Sequence, residues 1–194
     1  MLSPVLVTGP VSAPVSIDDL KAQARVSHDL EDDLLSLYIS AATTHLDGFS
    51  GALGRALMTQ TWRVSYPDFG RDMMQLPMPD VSSVVVTYYD EAGLEQTLAA
   101  ENYRLLNNGL GSFVEFIDTF TAPTVEERSD AVTIQFVCGY GDSSDVPAPI
   151  KHAILLLAAH WYNAREAVMD RSAGSMITPL AVDSLISPYR RVGT

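Results

Sequence analysis

Three side chains in the last third of this 194-residue chain have the chemistry for a reactive centre: Cys138, His152 and His160. A thiol becomes a nucleophile when a base or a positive field lowers its pKa, and imidazoles hold a metal ion when several converge. The spacing favours neither. Cys138 ends an apolar run after Phe136, without the local sequence that surrounds known cysteine nucleophiles. His152 and His160 stand about two helical turns apart, too far for one metal ion, and neither has a carboxylate three or four residues on. A cysteine hydrolase around Cys138 is therefore kept only as the alternative reading.

The remaining motifs resolve into geometry. "GYGD" (Gly139 to Asp142) has the letters of a potassium-channel filter but no flanking transmembrane helices, so its glycines are expected to bend the chain. "GLGSFV" (Gly109 to Val114) lacks the third glycine of a dinucleotide loop and leads into a strand, which makes it a turn. Asp29, Glu31, Asp32 and Asp33 crowd a helix start, where the dipole favours negative charge, and neighbouring helical positions diverge too much to share a metal. There is no HExxH, P-loop or GxSxG. The expectation is no catalytic residue, no metal and no cofactor.

Composition narrows the class. A hydrophobic content of 47% suffices for a core, and charged residues at 19% are too few for a disordered chain. The formal net charge of -12 argues against a general grip on nucleic acid, which needs clustered basic residues. One cysteine excludes an internal disulfide. The start carries no basic region and is cut by Pro4, Pro10 and Pro14, and the longest apolar run, "AILLLAAHWY", is too short for a bilayer. A soluble protein without membrane contact is expected.

The elements that must position these residues fall into an α+β pattern. Residues 1–15 read as an extended N-terminal arm. Ser16 and Asp19 form a capping box for a short helix to about Arg25. A longer helix starts at Ser27 or Asp29, with Leu30, Leu34, Leu37, Tyr38, Ala41, His45 and Leu46 as its apolar stripe. From Thr61 the period becomes two. "TWRVSY", "VSSVVVTYYD", "LEQTL", "YRLL", "FVEFI" and "AVTIQFV" read as short strands parted by turns at Asp90–Gly93 and Asn107–Ser112, an antiparallel meander or small sandwich.

Pro147 and Pro149 open the next helix, whose apolar face is Ile150, Ile154, Leu157, Trp161 and Ala164. Thr178 and Pro179 start a last short helix, which Ser187-Pro188 stops. The implied organisation is a helical bundle from the N- and C-terminal helices (16–60 and 145–168) with an antiparallel β domain (61–140) inserted. The tail is 169–194, with its short helix. Gly139, Gly141, Pro147 and Pro149 are the joint where the inserted sheet returns to the helices.

Several segments, in order, resemble the head–tail connector (adaptor) family of tailed bacteriophages and gene transfer agents, in its longer form with a β insertion. They are "GRALMTQTW", "LPMPDVSSVVVTYYDEAG", "VTIQFVCGYGDSSDVPAPIKHAILLLAAHWYNARE" and "PLAVDSLISPYRR". The resemblance runs from about Ser16 to Arg191 and departs from the pattern at Cys138, usually a small residue. It implies a non-enzymatic virion protein of the neck, assembled in the bacterial host cytoplasm as a homo-oligomer, a twelvefold ring beneath the portal protein. A tail-side connector, stopper or tail-completion protein would dock below, and DNA would pass through the lumen without sequence-specific binding. The match to "LISPYRR" makes Leu185, Ile186, Tyr189, Arg190 and Arg191 the portal-contacting candidates. A tail-completion or neck protein lower in the connector is the related alternative.

Overall fold

A computed structural model describes residues 1–70, 73–164 and 180–191. They divide into a β unit of residues 1–10 and 59–140, and a helical unit of residues 11–58 and 141–191. The α+β class expected from the sequence is the one observed.

The β unit holds eight strands: β1 (Val5–Thr8), β2 (Gln60–Tyr66), β3 (Met73–Gln75), β4 (Val81–Tyr89), β5 (Glu95–Thr97), β6 (Tyr103–Asn108), β7 (Gly111–Phe116) and β8 (Val132–Cys138). They form two antiparallel sheets, in the orders β1-β2-β8-β4-β5 and β3-β7-β6. The larger sheet is not a meander, because β8, last in sequence, lies between β2 and β4. Alternate residues of β8, Val132, Ile134, Phe136 and Cys138, are buried, so one face of this central strand lies on the core.

Turn chemistry sets the register at the rim. Between β4 and β5, Asp90 accepts the backbone N–H groups of Ala92 and Leu94 and the side-chain amide of Gln96, and Gly93 takes φ +73°. Those donors, the Leu94 N–H first, hold the Asp90 carboxyl below its usual range. Beyond the hairpin, Arg128 pairs with Asp130 and Glu126 and lies over the Tyr89 ring.

The two sheets meet through side chains. Asn107 donates to the Val81 carbonyl at 3.0 Å, Ser112 accepts the Val81 N–H at 3.3 Å, and the Tyr103 hydroxyl donates to the Val84 carbonyl at 3.4 Å. Polar groups at the margin of β4 thus find partners on β6 and β7. Phe69 adds an aromatic cluster with Tyr88, Phe116 and Phe120. The strand β3, pairing Met73 to Gln75 with β7, was not expected from the sequence.

In the helical unit, α1 (Ile17–Ala24) opens with the capping box of Ser16 and Asp19 and ends at Arg25, whose φ of 58° is left-handed. Next, α2 (Asp32–Leu46) starts later than expected, at Asp32. Its stripe is also rotated by one position: Leu35, Ile39, Ala42 and Leu46 are buried, whereas Leu30 and Leu37 are 91% and 62% exposed. Two apolar stripes run side by side on this helix, and tertiary packing takes the second.

Following it, α3 (Ala148–Asn163) buries Ile150, Ala153, Ile154, Leu157, Ala158 and Ala159. It packs on α1 and α2. The Tyr162 hydroxyl donates to the Glu31 carboxylate, and the Tyr38 and Tyr162 rings meet edge-on, as do His45 and Trp161. Lys21 joins the ends of α1 and α2 by ion pairs to Asp29 and Asp32, both at 2.6 Å. Last comes α4 (Leu180–Ile186), followed by a 3-10 turn over Ser187–Tyr189. The expected caps Thr178 and Pro179, like Arg165 and Glu166, lie outside the described residues.

Candidate functional site

The C-terminal segment combines an apolar anchor with an exposed cation. Its helix α4 packs on α3, with Val182 and Ile186 fully buried. That corrects one expectation: the Ile186 side chain belongs to the core of the helical unit and is not offered to a partner. Leu185 and Tyr189 are half-buried and Arg190 is exposed. Ser187-Pro188 ends the helix because proline has no N–H to continue the ladder. The Arg190 N–H then donates to the Ser187 carbonyl at 3.3 Å.

Beyond this turn the chain is held by its backbone. The Arg191 N–H donates to the Leu53 carbonyl at 2.9 Å. Next to that contact Gly54 takes φ +63°, and a Cβ there would lie 3.3 Å from the Arg191 Cβ. The loop offering this clasp is itself fixed, with the Asp47 carboxylate accepting the Leu57 N–H at 2.7 Å and Leu53, Ala56, Leu57 and Met58 buried. Sequence reasoning did not find the clasp. Its only local signal was the glycine of "GRALM", which asks for a backbone explanation.

Arg190 pairs with Asp183 at 2.7 Å, with both side chains more than two-fifths exposed. Such a surface pair contributes little to stability, about 0–1 kcal/mol. The guanidinium is thus free to exchange this carboxylate for a partner's. With Tyr189 and Leu185 beside it, the segment can present an amphipathic ring, an aliphatic contact and a cation, a common combination at protein interfaces.

The residues of the chemical reading are not brought together. Cys138 is 1% exposed inside β8, between its neighbours on β2 and β4. His152 and His160 are exposed on α3, in the other unit. Nothing here supports a hydrolase: a thiol buried inside a strand has no route to a substrate. Among the described residues, no group of His, Cys, Asp and Glu is arranged as a metal site, and no helix is long and apolar enough to cross a membrane.

At the opening of α3, Gly139 and Gly141 take φ +120° and +128°, a region closed to most side chains. At Gly141 a Cβ would lie 2.5 Å from the Asp145 carboxylate. That carboxylate accepts the Asp142 N–H at 2.9 Å. Pro147 is the N-cap of α3 and Pro149 lies in its first turn, where no intrahelical donor is lost.

This fold has close relatives of known setting. Over 100% of this chain and 97% of the other, it matches a chain from the neck of an empty gene transfer agent particle computed with C6 symmetry, at 26% identity and TM-score 0.79. With the same coverage it matches a chain from the virion of the native particle at 25% identity and TM-score 0.77. A third match, at 26% identity and TM-score 0.70, comes from the native neck computed with C12 symmetry. Comparison with curated proteins gives no match. The sequence model of the phage gp6-like head-tail connector proteins matches residues 14–98 and 95–190, and the chain belongs to that family.

Proposed function

We propose that this chain is a structural connector of the virion neck, forming a ring under the portal that joins a DNA-filled head to its tail and continues the DNA channel. The observation that carries this reading is the full-length likeness to chains of gene transfer agent necks, computed with C6 and C12 symmetry. Twelve copies is the number favoured. A ring of identical subunits needs two different, complementary faces on each chain. With -12 per copy, such a ring presents a strongly acidic surface, which repels DNA phosphates and lets the strand slide.

In this reading the α1–α3 helices serve as the bundle from which the β unit is inserted, with Gly139, Gly141, Pro147 and Pro149 as the joint. Leu185, Tyr189, Arg190 and Arg191 meet the portal, while Ile186 anchors them from inside. The chain carries no catalytic centre. A tail-side connector or tail-completion protein binds the opposite side of the ring.

The test is removal of residues 187–194, which spares the buried Val182 and Ile186. The expected result is DNA-filled heads without tails. Normal tail joining would overturn the portal role of this segment. Density for the full-length chain elsewhere than between head and tail, in electron cryomicroscopy of particles, would overturn the connector reading itself.

A further inference from the structure

Among the described residues, nothing covers the side chains of strand β1. All four of its residues are exposed, with Val5, Leu6 and Val7 at 48%, 47% and 47%. One edge pairs with β2, with an irregularity between Leu6 and Thr8, and the other edge ends the sheet. Open strand edges are templates for pairing, and proteins ordinarily blunt them with charge, proline or a covering element. The margin of β4 has such a covering, in Tyr103, Asn107 and Ser112. The opposite end of the sheet, β5, is three residues long and carries Glu95. By contrast β1 lies in a run, Met1 to Ile17, without a single Asp, Glu, Lys, Arg or His.

Charge identifies the occupant. Two copies that each carry -12 repel one another, and that repulsion is least where the facing surfaces carry no acids. The longest uncharged run of the chain therefore suits a like chain, whereas a basic partner would be met by the acids elsewhere. We propose that β1 is one side of the subunit–subunit seam, its open edge and the side chains of Val5, Leu6 and Val7 lying against a second copy of this chain. This rests on the ring reading above and names the surface that closes the ring. Backbone groups of β1 supply direction and register, and the three apolar side chains supply the buried area.

A photo-crosslinking benzoylphenylalanine introduced at Leu6, in particles purified after assembly, reads the contact directly. Irradiation is expected to give a covalent dimer of this chain. A crosslink to any other protein, or none, overturns the seam while leaving the connector reading in place; absence of the chain from particles overturns both. As a second arm, Leu6→Glu places an acid in the seam. Its thermal unfolding is expected to match the parent, while its incorporation into particles falls by about tenfold or more, as for an unpaired charge buried at an interface. Incorporation at the parental level would overturn the proposal.

Discussion

The two terminal segments are held by opposite means. At the C-terminal end, α4 is fixed through side chains, with Val182 and Ile186 in the core of the helical unit. At the N-terminal end, β1 is fixed through its backbone, by the ladder to β2 and the Leu2 N–H on the Ser65 carbonyl, while its side chains stay exposed. A segment anchored by burial resists substitution and can hold a neighbouring contact in place. One anchored by its backbone leaves its side chains for another molecule. The proposed portal contact thus lies beside the anchor at one end, and the proposed seam lies on the strand itself at the other.

The two tryptophans separate the ends experimentally, since Trp62 lies in β2 and Trp161 in α3. The largest effect is expected from Ile186→Ala, which leaves a cavity in the helical unit. Unfolding in urea, followed by Trp161 fluorescence in a Trp62→Phe background, should show a loss of about 2–5 kcal/mol. An unchanged transition would mean that burial does not hold α4.

A smaller effect should come from Gly54→Ala, which puts a Cβ into a left-handed position beside Arg191. The cost is roughly 1–2 kcal/mol, and trypsin should cut faster at Arg190 and Arg191. Cleavage at the parental rate would remove the clasp from the account. The smallest effect is expected from Leu6→Thr, less than about 0.5 kcal/mol in the transition reported by Trp62. A loss as large as that of Ile186→Ala would erase the contrast, because it would show that Leu6 contributes a core contact.

What was legible in the sequence is what short-range chemistry decides. The α1 boundary follows from Ser16 and Asp19 alone, three residues apart. The β4–β5 hairpin follows from Asp90 and Gly93, and the start of α3 from its prolines. The phase of α2 was not legible. Its residues offer two adjacent apolar stripes, and the choice depends on which face α1 and α3 cover. The burial of Ile186 depends in the same way on α3.

The strand β1 was read as an extended arm because its partner, β2, follows it only after two helices and the loop to residue 58. No local pattern records such a pairing. The three-residue β3 is likewise defined by β7 alone. For the candidate site, only the resemblance through "LISPYRR" named Leu185, Ile186, Tyr189, Arg190 and Arg191. It could not show that the loop at Leu53–Gly54 fastens the last of them.

The interleaving of the two units also sets the order in which their residues emerge during synthesis. The β unit's strands from β2 to β8 occupy one continuous stretch, so they can pair as soon as residue 138 has left the ribosome. The helices α1 and α2 emerge much earlier, yet α3, which covers them, comes after the whole sheet. Until then Leu20, Leu35 and Ile39 have no completed core, and closing it spans roughly a hundred residues of chain, a slow step by contact-order reasoning. A sheet that folded first would shorten that search by tying residues 59 and 140 into one body before the helices meet.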